Sequence, residues 1–179
     1  SIHDIREQVR LAAARLGAGE WVIGSRWDAG KLLEQRDMSA ADLDGVSPDN
    51  PVWLLHTSAH YGVANSRALE LAGIDAGTPD PDGGVIVRDD NGNPTGILTD
   101  QAMALVADIT PPVSAEDFVS AVSERVGFLS AEGITTIKDP EIDQRHWDAY
   151  KTISENGNLS VRVFVLWRVP DTMAEAREL

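Results

Sequence analysis

Cysteine is absent from all 179 residues. That excludes disulfides, thiolate zinc sites and a cysteine nucleophile, and it fits a reducing compartment. Basic residues are scarce: 15 Lys and Arg stand against 29 Asp and Glu, giving a formal net charge of −14. A surface this acidic repels phosphate backbones and gives no support for binding anionic membranes, so neither nucleic acid nor membrane is an expected partner. The charge reads as solubility. No apolar run approaches the roughly 20 residues that span a bilayer. Ser1-Ile2-His3-Asp4 does not place a basic segment before an apolar one, so no signal peptide is expected there and the chain reads as cytoplasmic. Internal repeats, low-complexity tracts, a phosphate-binding glycine loop, a His-x-His pair and a Gly-x-Ser-x-Gly turn are all missing.

What is present suits one domain with a sizeable core. Ile5, Val9, Ala12, Ala13 and Leu16 recur at helical spacing, and Gly17 follows as a stop. Residues 20–24 and 52–56 are short and apolar and read as buried strands. Residues 28–35 suit one or two helical turns. Residues 38–43 suit a short helix capped by Ser39, and 65–73 another helix, stopped by Gly73. Residues 78–84 hold two prolines and cannot form a central strand. Val85-Ile86-Val87-Arg88 and Thr95-Gly96-Ile97-Leu98 flank an Asn91-Gly92 turn and form a hairpin. A helix is expected from Thr99 to about Ala107.

Pro111-Pro112 marks a boundary. Beyond it Ser114 caps a helix bearing Phe118, Val122, Val126 and Leu129, with Gly133 just past its end. Residues 134–137 and 161–167 read as strands buried on both faces. A helix between them presents Trp147, Tyr150 and Ile153, and Thr172 with Glu175 forms a capping box for a last helix. Helices alternating with buried strands imply parallel pairing. Two such strands do not close a sheet, so further strands are expected from a partner or from more chain. The chain opens on a helix and stops inside another, as a cut or proteolytic piece would.

Chemistry concentrates in His56-Thr57-Ser58-Ala59-His60, followed by Asn65-Ser66, where a strand hands over to a helix. Two histidines four apart share a metal when both lie on one helix, but the first ends a strand. Three roles stay open for His56, His60 and Asn65: metal ligation, facing a substrate, or hydrogen-bonding the turn. Asp139, beside Lys138 at the end of a strand, suits a barrel mouth or a turn before Pro140. Trp27, in Ser25-Arg26-Trp27-Asp28, suits recognition of a planar or anionic group, or a capped core edge. Asp89, Asn91, Asn93 and Asp100 are spaced like calcium-loop ligands. Pro94 stands where such a loop needs glycine, and the hairpin is the better reading.

Gly19 to Asp28 as a run, Leu43-Asp44-Gly45-Val46-Ser47-Pro48-Asp49-Asn50-Pro51-Val52, His60-Tyr61-Gly62-Val63-Ala64-Asn65-Ser66-Arg67-Ala68-Leu69, Pro81-Asp82-Gly83-Gly84, Pro94-Thr95-Gly96-Ile97-Leu98 and Gly133-Ile134-Thr135-Thr136-Ile137-Lys138-Asp139 follow one another in order. This series resembles family 3 of the metal-dependent amidohydrolases over nearly the whole chain. The resemblance implies an α/β fold, part of a (β/α)₈ TIM barrel. Residues 1–16 would lead out of a missing first barrel strand, 17–110 would be an inserted α+β subdomain with the hairpin, and 111–179 would supply two or so barrel strands with their helices. It implies hydrolysis of a carbon–nitrogen, amide-type bond in a small molecule by a divalent metal, zinc being the expected ion. The family's ligands (a His-x-His pair, a mid-barrel lysine or acid, two later histidines and a late aspartate) have no match here. This segment is therefore expected to hold no metal tightly and to be inactive alone. His60 and Asn65 match the family motif and are expected on the substrate side with His56 and Trp27. Asp139 matches as a strand-end residue, and Lys138 is assigned nothing. The rivals are a stand-alone ligand-binding module that closes its sheet by forming a homo-oligomer, and a small metallohydrolase built on His56 and His60.

Overall fold

A computed structural model describes residues 1–168. The capping box expected at Thr172 and Glu175 lies outside the described residues. The chain divides at Pro111-Pro112 into two compact units.

The first unit begins with α1 (Ile2–Ala13), capped by the Ser1 hydroxyl, which accepts from the Asp4 N–H. Its apolar face buries Ile2 and Val9 in a core shared with Val22, Trp27, Leu43 and Leu54. Five strands form one mixed sheet: β1 (Val22–Trp27), β2 (Val52–His56), β3 (Tyr61–Ala64), β4 (Gly84–Arg88) and β5 (Pro94–Asp100), in the order β1-β2-β3-β5-β4. Only β1 and β2 run parallel, and the other neighbours are antiparallel. β1 differs from the buried strand expected at residues 20–24. It starts later, runs to Trp27 and lies at the sheet's outer edge, where Ile23 is 51% exposed. Residues 28–35 supply only one 3-10 turn, Ala29–Lys31.

β3 was not legible from the residues. It is four residues long and runs straight into the cap of α3 (Ser66–Leu71), so its alternation is too brief to register. Gly62 is required there, because a Cβ would stand 2.6 Å from the Trp53 ring across the ladder. The hairpin forms as its turn residues dictate: Gly92 has φ +84°, and Asp89 Oδ1 accepts from the N–H groups of Asn91 and Asn93. Thr99 and Asp100, expected to open a helix, instead extend β5, since the Asp100 N–H donates to the His60 carbonyl at 2.8 Å. A 3-10 turn (Gln101–Met103) and the short α4 (Ala104–Ala107) follow.

One buried side chain ties these pieces together. Asn65 is 1% exposed and caps α3. Its Oδ1 accepts from the Val52 N–H (2.9 Å) and the Ala68 N–H (3.0 Å). Its Nδ2 donates to the carbonyls of Ser47 (3.1 Å) and Asn50 (3.0 Å). Asn50 in turn donates to the carbonyls of Gly17 and Glu20, just ahead of β1. A carboxamide has two donors and two acceptor lone pairs, and here all four are used inside the protein. Nearby, α2 (Ala40–Asp44) carries a capping box in which Asp42 Oδ2 accepts from the Ser39 N–H and hydroxyl. Arg36 grips the same carboxylate with two donors at 2.7 Å and also donates to the Asp37 carbonyl.

The second unit is α5 (Ala115–Ala131), β6 (Thr136–Ile142), α6 (Gln144–Glu155) and β7 (Arg162–Trp167), with the two strands parallel. Ser114 caps α5 as expected. Val126, Ala149, Ile153 and Ile142 are buried on the helix side. The strands were expected to be covered on both faces, and they are not. Phe164 is 63% and Leu166 49% exposed, because α5 and α6 cover one face alone.

Two outcomes follow for stability. Asn65→Ala should lower the denaturant midpoint by the equivalent of about 2–4 kcal/mol, since it leaves several buried backbone groups unpaired. Asn65→Asp should lose a similar amount, because a carboxylate cannot donate to the Ser47 and Asn50 carbonyls; a change within 0.5 kcal/mol (on the order of measurement scatter) would refute the hub. The bidentate Arg36 guanidinium, opposed by burial, holds Asp42 at a pKa of about 2, below the ordinary 3.8. A depressed carboxyl stabilises above its unfolded pKa and loses that contribution as pH falls from about 4 to about 2. Asp42→Asn should therefore cost about 1–2 kcal/mol at pH 7, discounted for the half-exposed arginine, and the gap should close in urea titrations near pH 2.

Candidate functional site

Strand register decides which residues meet. Trp27 pairs with His56 at the ends of β1 and β2, Leu55 with Gly62, Tyr61 with Thr99, and Gly84 with Asp100. The C-terminal ends of β1, β2 and β5 and the N-terminal starts of β3 and β4 therefore lie at one end of the sheet. Trp27, His56 and His60, proposed from the residues, are gathered there. Tyr61, Asp100 and Asp37 join them and were missed. Asp100 drew notice only as a calcium-loop position, and its actual partner lies 40 residues away, which no local pattern reveals.

The cluster is built as a connected series. The Trp27 indole is buried, donates to the Leu54 carbonyl at 3.1 Å and stands edge-on to both His56 and Tyr61. His56 stacks on Tyr61, with ring centroids 4.0 Å apart. The Tyr61 hydroxyl donates to Asp37 Oδ1 at 2.9 Å. Burial, and then this carboxylate, push its pKa up to about 12, so it remains a donor throughout the neutral range. The Ser58 hydroxyl lies 2.9 Å from His56 Nδ1 and accepts from the His60 N–H at 3.2 Å. His60 Nδ1 lies 3.1 Å from Asp100 Oδ1. The His60 side chain is 80% exposed, so the series runs from a buried indole to open solvent.

Backbone strain accompanies it. Arg26, Ala59 and Asp100 have φ of +73°, +61° and +45°, and each adjoins or belongs to the cluster. Left-handed non-glycine residues cost of order 1–3 kcal/mol each and gather at functional sites. The Arg26 distortion coincides with an irregularity in the β1–β2 register that turns Trp27 toward His56.

Two residues expected to face a substrate are placed otherwise. Asn65 has no hydrogen-bonding capacity left and is sealed in the fold, so the turn-ordering role is the one it fills. Trp27 is 6% exposed and backs His56 and Tyr61 from within. Asp139, in the second unit, accepts from the Tyr150 hydroxyl at 2.8 Å on the face covered by α6; burial, and then this carboxylate, raise the Tyr150 pKa. By strand alternation Lys138 lies on the opposite face, beside its cross-strand partner Phe164. Among the described residues no three His, Asp or Glu side chains gather as a metal site. Among them, too, no helix is long and apolar enough to cross a membrane.

Similar proteins agree on one ancestry. The chain is 40% identical over 121 residues to the putative amidohydrolase YtcJ of Bacillus subtilis (strain 168), covering 68% of this chain and 23% of that protein. It is 33% identical over 163 residues to N-substituted formamide deformylase of Arthrobacter pascens, covering 89% of this chain and 30% of that protein. The chain thus spans less than a third of the length of these relatives. A crystal structure of an uncharacterized metal-dependent hydrolase from Pyrococcus horikoshii OT3 superposes with a TM-score of 0.58 at 22% identity, over 93% of this chain and 31% of that one, which shows a shared fold. A sequence model of the amidohydrolase family matches residues 1–179. The chain belongs to the amidohydrolase family.

Proposed function

We propose that this chain is a segment of a metal-dependent hydrolase that cleaves the carbon–nitrogen bond of a small amide-type substrate, and that it is inactive by itself. The observation that carries the reading is the parallel pair β6–β7. One face is covered by helices, while the other exposes Phe164 and Leu166. Parallel strands occur in sheets covered on both faces and continued on both sides, and a barrel is the closed form of that arrangement. The family membership and the metal-dependent hydrolase that shares the fold support the same reading. So does the name of one relative, N-substituted formamide deformylase, since removing formyl from a substituted formamide breaks an amide-type bond.

The divalent metal, with zinc as the proposed ion, would be bound by parts of the enzyme other than the described residues. This chain's contribution is the polar sheet end: His56, His60 and Tyr61 form a wall facing the substrate, and Trp27 fixes their backs. Asp139, joined to Tyr150, we now read as a packing residue. The compartment we propose is the cytoplasm, in keeping with the missing cysteines.

The test compares the intact enzyme with the 179-residue chain on N-formyl and N-acyl amines. The intact enzyme should turn over at least one class, should lose activity to a chelator and should regain it with zinc. His60→Ala in that enzyme should raise KM more than about fivefold, the loss of one or so hydrogen bonds to substrate. Stoichiometric zinc together with turnover in the isolated chain would contradict the reading.

A further inference from the structure

The hydrogen bonds at the sheet end fix more than position. At His56, Nδ1 is approached by the Ser58 backbone N–H at 3.1 Å. A backbone N–H can only donate, so Nδ1 must be the bare acceptor, and the ring proton resides on Nε2. The Ser58 hydroxyl fits the same assignment. Its oxygen accepts from the His60 N–H, which leaves its own proton to donate to His56 Nδ1. At His60 the situation is inverted. Nδ1 faces the Asp100 carboxylate, which can only accept, so Nδ1 carries a proton and Nε2 holds the lone pair whenever the ring carries one proton.

We infer that His56 and His60 are held in opposite tautomers, so that toward an amide-type substrate His56 Nε2–H is a donor suited to a carbonyl oxygen and His60 Nε2 an acceptor suited to an N–H. The substrate class rests on the amide-hydrolase reading above. The tautomers rest on the geometry alone. A secondary amide has a carbonyl oxygen that can only accept and an N–H that can only donate, and the two rings offer one complement to each. One serine hydroxyl ties the two together, touching the ring of the first and the backbone of the second. No hydrogen bond occupies either Nε2 among the described residues. The investment in holding this arrangement is visible in the backbone. Ala59, between Ser58 and His60, is left-handed, and so is Asp100, whose own N–H donates back to the His60 carbonyl. Asp100 and Ser58 are positioning residues under this proposal. His56 and His60 are the groups that touch substrate.

Neutron diffraction from deuterium-exchanged crystals of the intact protein at neutral pD reads the protons directly. Deuterium is expected on Nε2 of His56 and on Nδ1 of His60. A deuteron on His60 Nε2, or on His56 Nδ1, overturns the assignment. The use of the pair is tested by hydrolysis of an N-alkylformamide and an N,N-dialkylformamide of equal carbon number, which differ in the N–H. The wild type should favour the former roughly tenfold in kcat/KM, the value of one such hydrogen bond. Asp100→Asn, whose amide tolerates a positive φ and can donate to Nδ1, should erase that preference by raising KM for the N-alkylformamide alone. Ser58→Ala should weaken both substrates equally. A preference that survives His60→Ala, which removes the acceptor itself, refutes the role of His60. Turnover of neither formamide would instead strike the amide-type reading of the enzyme, with the proton positions still decided by the neutron map.

Discussion

The Asn65 carboxamide is the interaction on which the first unit depends. Four segments distant in sequence (the start of β2, the first turn of α3, and the backbone at Ser47 and at Asn50) are joined by its four hydrogen bonds. Asn50 extends the network to the approach to β1. Side chains with fewer donors or acceptors would leave buried peptide groups unpaired, and each such group costs about 1–3 kcal/mol. With the network in place, β1, β2 and β3 share one register, and that register brings Trp27, His56 and Tyr61 to a common end. The chemistry of the sheet end thus depends on a buried residue at the other end of β3.

A division of labour follows. The sheet end is rigid where aromatic rings pack, from the Trp27 indole outward to Tyr61, whose hydroxyl is anchored on Asp37. The Arg36–Asp42 pair in turn steadies the backbone around Asp37. It is exposed where His60 stands with Asp100. Rigid backing with an accessible polar tip is what a binding wall needs: orientation is set before a ligand arrives, and little side-chain freedom is lost on binding.

Much of this fold was legible in the residues because its signals are local. The Ser39 and Ser114 caps, the Asn91-Gly92 hairpin turn and the apolar stripe of α1 each act within a few residues, and each stands where expected. The errors came from non-local effects. Residues 20–24 look like an interior strand, yet β1 forms a sheet edge, since strand order is set by pairing rather than by hydropathy. Thr99 and Asp100 prolong β5 because β3 offers them a partner. In the second unit Val161 to Trp167 looks buried on both sides, and one side is open. At the site, His56 and His60 could be found from their types and spacing, whereas Asp37 and Asp100 could not, as each meets its partner only through tertiary contact. Asn65 stands out as a polar residue at a strand–helix junction, and of the roles open to it the buried side chain fills the turn-ordering one. Sequence marks such a residue as important without revealing which way its side chain faces.

Under the proposed function, the end of the sheet bearing His56, His60 and Tyr61 is a substrate wall. A crystal structure of the intact, metal-loaded enzyme with a slowly hydrolysed amide analogue tests it most directly. The analogue's amide group is expected within hydrogen-bonding distance of the histidine rings. An analogue bound at the metal with this sheet end turned to bulk solvent would contradict it.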